Sequence, residues 1–234
     1  MATTERVIAE DAIRVLDHGF VALDGALASD LAVVNGARVS FNQASDELAE
    51  RDAGLIRFLM REGHGSPFEH GYFRFIVKAP LFVVREHHRH RAGHSYNEWS
   101  GRYSKLEAEF YVPDYVRTQV GKPGAYTFES VDDDTRDVAR DEIEANARRA
   151  FEAYERMLEQ GIAKEVARAV LPLSTYTKYY WSCNPRSLMH FCALRNHESA
   201  QYEIRQYAAA AESFLERLMP ITHAAFVERG RIAP

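Results

Sequence analysis

The sequence has little cysteine, little lysine and none of the common glycine-rich nucleotide loops. Cys183 and Cys192 are its two cysteines and form no CxxC pattern, so neither a disulfide framework nor a structural zinc knuckle is implied. No apolar run approaches the ~20 residues that a membrane span needs. The opening stretch, MATTERVIAEDAIRVLD, mixes charges early and has no apolar h-region. No signal peptide is expected there, and the chain reads as cytoplasmic with no membrane partner. There is no internal repeat, low-complexity tract or long linker, so a single domain over 1–234 is expected. No GxGxxG follows a strand pattern, and neither GxxxxGK[ST] nor GxSxG occurs. Any phosphate must therefore be held by side chains or by an ordinary helix N-terminus.

What is present is average in bulk. With 46% hydrophobic and 27% charged residues in 234, the chain can bury a sizeable core. Its net charge of −5 argues against a general nucleic-acid binder. The basic residues are skewed, with 24 Arg against 5 Lys. Genome composition can produce that skew. So can phosphate or carboxylate recognition, to which the guanidinium fork is better suited than an ammonium. The positions of the arginines decide.

The first forty residues give no clear pattern. From Ser45, read as an N-cap, Leu48, Leu55, Ile56, Leu59 and Met60 fit one helical face that stops near Gly63. A turn, GHGSPFEHG (63–71), leads to YFRFIVKAPLFVVREHH (72–88), which predicts two strands broken near Ala79-Pro80. Residues 89–104 have no period and read as a chemistry-rich loop. A polar stretch with Asp132, Asp133 and Asp134 opens a long helix on which Ala139, Ile143, Ala147, Ala150, Tyr154, Met157 and Leu158 share a face, and Gly161 suits its C-terminal end. A short helix over 162–170 and a strand over 173–182 follow. Asn184-Pro185 opens another helix, and helical signal runs on to about Leu218. Helices segregated from a few strands predict an α+β fold, an antiparallel sheet packed with long helices.

Chemistry concentrates in 85–103. Arg85, Arg89, Arg91 and Arg102 are interleaved there with His87, His88, His90 and His94, beside Glu86, Glu98, Asn97, Ser95 and Ser100. A solvated loop, a metal site and an anion site compete. Guanidinium charges beside a divalent cation are unfavourable. Arg forks with Glu, Asn and Ser suit phosphates and a polar ring, so no metal is expected.

RHR (89–91) followed by SYNEWSGRY (95–103) resembles the signature of the flavin-dependent thymidylate synthase (ThyX) family. GHGSPFEH (63–70) is similar to that family's upstream turn, and EVARAVLPLSTYTKYYWSCNPRSLMHFCALRNHESAQYEIR (165–205) to its C-terminal half. The resemblance covers about residues 60–210. Eight residues separate Arg91 from Ser100, one more than the family signature usually has, and the extra one is expected among Ala92, Gly93 and His94.

The resemblance implies a ThyX-like fold and a set of roles. FAD would contact His64, Ser66, Arg89, His90, Arg91, Glu98, Asn184, Arg186 and His190, with His190 where Asn is also found. Deoxyuridine monophosphate (dUMP) would contact Glu86, His87, His88, Arg89, Glu98, Trp99, Ser100, Gly101, Arg102, Arg168 and Arg195, with Glu86 at a position often filled by Gln. Arg195 would be the catalytic residue, polarising the uracil and favouring loss of its N3 proton. The implied reaction is reductive methylation of dUMP to dTMP, with methylenetetrahydrofolate as carbon donor and NADPH as reductant of FAD. A homotetramer with active sites where subunits meet is implied as well, and no nucleic-acid partner. The residues by themselves leave two other readings open: a metal-dependent nucleotide hydrolase built on the histidines, and a nucleotide- or RNA-binding module stacking on Tyr96, Trp99 and Tyr103. Cys183, just before a helix start, is a credible nucleophile on local grounds, whereas the family dispenses with an enzyme cysteine.

Overall fold

A computed structural model describes residues 11–234. The first ten residues, on which much of the reading of the N-terminus rests, lie outside the described residues. A five-stranded, wholly antiparallel sheet forms the centre, in the order β1 (Ala12–Val15), β2 (Gly19–Leu27), β3 (Tyr72–Pro80), β7 (Tyr176–Cys183), β4 (His94–Glu98). A hairpin of β5 (Arg117–Lys122) and β6 (Ala125–Ser130) stands apart from it. The helices are α1 (Asp30–Arg38), α2 (Asp52–Arg61), α3 (Leu81–His87), α4 (Asp133–Glu159), α5 (Lys164–Ala167), α6 (Pro185–Arg195), α7 (Tyr202–Leu218) and α8 (Pro220–Glu228). The expected mix of antiparallel sheet and long helices is present.

Strand alternation sets the core. Phe73, Phe75, Val77 and Ala79 of β3 point to one face with Tyr179, Trp181 and Cys183 of β7, and all are buried against helical residues such as Phe191, Phe214 and Leu215. Each fully buried Phe there contributes roughly 1.5–3 kcal/mol. The opposite face carries Tyr72, Arg74 and Lys78, with a small cluster of Phe20, Ala22 and Ile76.

Several expectations need correction. The second strand predicted after Pro80 is helix α3. Its β-branched run mimicked a strand, but Val83, Val84 and His87 are the buried positions, a helical spacing. Pro80, extended at ψ 145°, ends β3 and opens the helix, and the Thr175 and Leu173 carbonyls accept from Leu81 N and Phe82 N at 3.0 and 3.1 Å. Ser45 does not cap α2, which starts at Asp52. Ser45 instead exchanges two hydrogen bonds with the Asn35 side chain, and Leu48 is exposed. The loop at 89–104 contains β4, and the polar stretch before α4 contains the β5–β6 hairpin. The first forty residues supply β1, β2 and α1, and α8 follows the expected end of the helices. The long helix, the left-handed Gly161 (φ +79°) and the Asn184 cap stand as read, and the structure adds Asp132 as the cap of α4.

One contact ties the ends of the described chain. Asp30, 3% exposed at the start of α1, accepts from Ile221 N, Thr222 N and Thr222 Oγ1 at 2.9, 2.9 and 2.6 Å, satisfying first-turn donors of α8. Asp30→Ala leaves these donors buried and unpaired. The expected loss is about 3 kcal/mol, read as a lower urea midpoint at unchanged slope.

Candidate active site

The site grows from the end of α3. His88 N and His90 N bond back to Val84 O and His87 O at 2.8 and 3.0 Å, so residues 88–90 form a tight turn. The Tyr96 hydroxyl, on β4, clips this turn by facing the carbonyls of His87 (3.1 Å) and His90 (2.8 Å). His87 is 1% exposed, boxed by Tyr96, Tyr179, Trp181 and Phe191, with Nδ1 2.7 Å from the Tyr179 hydroxyl. Its Nε2 and that of His88 are buried and have no partner among the described residues. Burial pushes the His87 pKa well down, so the ring is neutral. So placed, His87 supports the turn from beneath; its ring is not open to a ligand arriving from solvent.

The other histidines are committed too. Trp181 Nε1 donates to His94 Nδ1 at 2.9 Å, and Arg195 Nε donates to His90 Nε2 at 3.0 Å. Each ring therefore accepts through one nitrogen and is neutral. Burial holds both pKa values down at about 4, with Arg195 adding to the effect on His90 and His90 to that on His94. His87, His90 and His94 face Tyr179, Arg195 and Trp181, and the His88 ring packs against Tyr96 and Tyr179, so the four share no common point. Among the described residues no group of three or more His, Cys, Asp and Glu side chains has the geometry to hold a metal ion.

Arg195 enters from the last turn of α6, where a cation suits the helix dipole. Its Nη1 donates to Glu86 Oε2 at 2.9 Å and its Nη2 to Glu86 O at 3.3 Å, besides the bond to His90. Burial raises the Glu86 pKa, Arg195 opposes that, and Glu203 adds to it.

At the other end of α6, Asn184 Oδ1 accepts from Ser187 N at 2.8 Å, and Pro185 fills the first helical position. Arg186 donates to Glu69 and, at 2.6 Å, to Pro234 O. Gly65 permits this approach: a Cβ there would come within 2.5 Å of the guanidinium. Gly93 is left-handed (φ +73°), and a Cβ on it would meet Ser187 Oγ at 2.1 Å, while Ser187 Oγ donates to Ala92 O. The 92–94 loop thus packs against the start of α6, and β4 pairs from His94 onward. His190, one turn past Arg186, is exposed, with its pKa lowered by desolvation and by Arg186. Ser66 opens a 3-10 turn (Ser66–Glu69), and His64 lies edge-on to Phe58; both are exposed.

The second signature half follows β4. Glu98 Oε1 accepts from Thr177 Oγ1 at 2.8 Å, and the Trp99 ring carries the Lys178 ammonium 5.1 Å from its centroid. Ser100 Oγ accepts from Arg102 N and Nε, both at 3.3 Å. Gly101 is buried against Leu106. Arg168 stands exposed in a 3-10 turn (Arg168–Val170) after α5. Lys164 links that helix to Tyr103 O at 2.9 Å, but no described contact joins Arg168 to Arg195. Arg89, Arg91, Arg102 and Arg168 have no carboxylate partner among the described residues, whereas Arg38, Arg74, Arg117, Arg140 and Arg217 each do. A cavity of about 540 Å³ between α4, the β5–β6 hairpin and residues 172–174 is lined by Phe82, Tyr111, Arg117 and Glu203 among others, and by none of the residues expected to contact FAD or dUMP.

Sequence reasoning missed Tyr96 as a clip, and Thr177, Tyr179 and Trp181 as the site's floor. The alternation of Thr177, Tyr179, Trp181 and Cys183 was the available signal. Cys183 and Cys192 are both buried, and burial pushes both thiols well up, so neither is a ready thiolate. This corrects the local reading of Cys183.

Three comparisons bear on this arrangement. The family described as thymidylate synthase complementing protein matches residues 23–221. The flavin-dependent thymidylate synthase of Streptomyces coelicolor is 48% identical over 221 residues, covering 88% of this chain and 90% of that one. That of Thermosipho africanus is 43% identical over 215 residues, covering 92% and 93%. Among solved structures, the UMP/dUMP methylase PolB from Streptomyces cacaoi bound with 5-Br dUMP superposes with a TM-score of 0.87 at 44% identity, over 95% of this chain and all of that one. The chain belongs to the flavin-dependent thymidylate synthase family.

Proposed function

We propose that this protein methylates dUMP to dTMP as a FAD-dependent thymidylate synthase, with methylenetetrahydrofolate as carbon donor and NADPH as reductant. The observation that carries the reading is the 3.0 Å bond from Arg195 to His90, which unites the RHR block with the ALRNH block across 105 residues. The residues fit the ligands: guanidiniums without carboxylate partners suit phosphates, and Gly65 and Gly93 let main chain lie close to the first turn of α6. FAD, when bound, supplies the two-electron redox chemistry.

The chain's own groups bind and orient. Arg89, His90 and Arg91, with His64, Ser66, Asn184, Arg186 and His190, would hold the flavin. Ser100, Arg102 and Arg168 would hold the nucleotide, with Trp99 and Gly101 shaping the segment. Glu98, fixed by Thr177, lies between the two sets in sequence and can serve both. Neutral His90 accepts from Arg195 and sets the plane of its guanidinium. Arg195 would stabilise negative charge on the uracil, where a preoriented cation in a partly dry site acts most strongly. His87 and His88 would act through packing and main chain. The exposed apolar residues Val166, Val170 and Leu173 around Arg168 support a homotetramer, in which Arg168 would serve a site shared between copies.

Arg195→Ala is expected to cut turnover on the order of 100–1,000-fold while the protein keeps its flavin spectrum; near wild-type turnover would sink the assignment. Ser100→Ala frees Arg102 from its acceptor, so the Michaelis constant for dUMP should rise while product still forms. The buried thiols carry no chemistry in this reading. The Cys183→Ala, Cys192→Ser double variant should keep turnover within about tenfold of wild type. If it binds FAD normally yet yields no thymidylate, the cysteine-independent mechanism is wrong for this protein.

A further inference from the structure

The guanidinium that would face the pyrimidine already has a carboxylate. Arg195 spends three of its five N–H groups inside the protein: one on the Glu86 side chain, one on the Glu86 carbonyl and one on His90. One N–H on each terminal nitrogen remains for a ligand. Glu86 and Arg195 are 26% and 21% exposed, so solvent screens their attraction less than that of an open surface pair.

The facing groups come from every element packed there. His87 and His88 are neighbours on α3 and its end, and neutral His90 lies in the turn. Arg195 comes from α6, and Glu203, whose charge Glu86 feels, comes from α7. Glu203 is bound by both terminal nitrogens of Arg117 at 3.0 Å, so its charge is largely matched. Glu86 alone is left to offset Arg195.

We infer that Glu86 is a positioning residue that aims Arg195 and, by its countercharge, limits how strongly Arg195 favours an anion on the bound pyrimidine. The inference rests on the proposed function and names a determinant within that site. The two effects separate chemically. Glu86→Gln keeps an oxygen acceptor for Nη1, and the Glu86 carbonyl and His90 contacts do not depend on the side chain. The guanidinium keeps its direction and loses its countercharge. Glu86→Ala removes both.

The test uses the FAD-loaded enzyme and 5-bromo-dUMP, whose ultraviolet band changes when N3 ionises. Wild type, Glu86→Gln and Glu86→Ala are titrated with pH while the probe is bound. In Glu86→Gln the bound probe should ionise about one pH unit lower than in wild type, a tenfold change in ionisation constant, with the flavin spectrum unchanged. The same Glu86→Gln change made on an Arg195→Ala background should shift ionisation by less than it does in wild type, which marks coupling through Arg195; an equal shift on both backgrounds overturns that coupling. In Glu86→Ala, with Arg195 loosened, ionisation should fall less than in Glu86→Gln. Ionisation of Glu86→Gln at or above the wild-type pH overturns the countercharge. Equal shifts in the Gln and Ala variants overturn the positioning. Wild type that binds the probe but makes no thymidylate from dUMP defeats the proposed function instead, and failure of wild type to bind the probe defeats both.

Discussion

One guanidinium joins two stretches of chain that are more than a hundred residues apart, and the site depends on where it sits. Arg195 can reach His90 and Glu86 because three constraints agree. Pro80 ends β3 and turns the chain directly into α3, whose first donors are met by the 173–175 segment just before β7. β7 pairs with β3 in one register, Tyr176 opposite Pro80 and Cys183 opposite Phe73. Asn184-Pro185 then starts α6 at once, so the eleven residues of that helix bring Arg195 back beside the end of α3. A one-residue slip of β7 would turn Tyr179 and Trp181 out of the core and displace α6 with them.

The aromatic box beneath the turn has an electrostatic consequence. Four histidines close to several arginines would, if protonated, repel both one another and the guanidiniums. Burial prevents this for His87, His90 and His94, and each bonds as a neutral ring. Positive charge in this part of the molecule therefore resides on arginine, which does not titrate in the physiological range. A protein with a net charge of −5 thereby presents a local cluster of cations. The Arg-to-Lys skew, ambiguous as composition, gains meaning from position: among the described residues Arg89, Arg91, Arg102 and Arg168 stand without carboxylates, while most other arginines are paired.

Much of this was legible in the sequence, for identifiable reasons. Local signals with a single physical meaning were readable: Asn184 as a cap, Gly161 as a stop, and the apolar stripe of α4. The family was readable because its motifs, GHGSPFEH, RHR and SYNEWSGRY, are unusual in type and order. What escaped depended on distant partners. LFVVREH is as good a strand as a helix until the 173–175 carbonyls and Pro80 decide it. β4 is polar because it is an edge strand, its ladder completed by β7 alone, so no periodicity announces it. Asp52 looks like one acid among many, yet it is buried and accepts from Arg38 and from Ala49 N, which moves the start of α2 away from Ser45.

Cys183 shows how a correct local argument fails when a longer-range one is stronger. It precedes a capped helix N-terminus, an environment that lowers a thiol pKa. It is also the last residue of β7, and strand alternation places it with Thr177, Tyr179 and Trp181 on the core face. The helix dipole acts only on a group that lies at its end and in reach of solvent or ligand. A side chain turned into an apolar core meets the cost of burying a thiolate first. Alternation therefore overrides the cap, and the thiol pKa rises instead of falling. With both thiols sealed in the core, the protein's contribution at this site is orientation and charge: Asn184 is retained as the cap that starts α6, and Arg195, at the far end of the same helix, carries the charge.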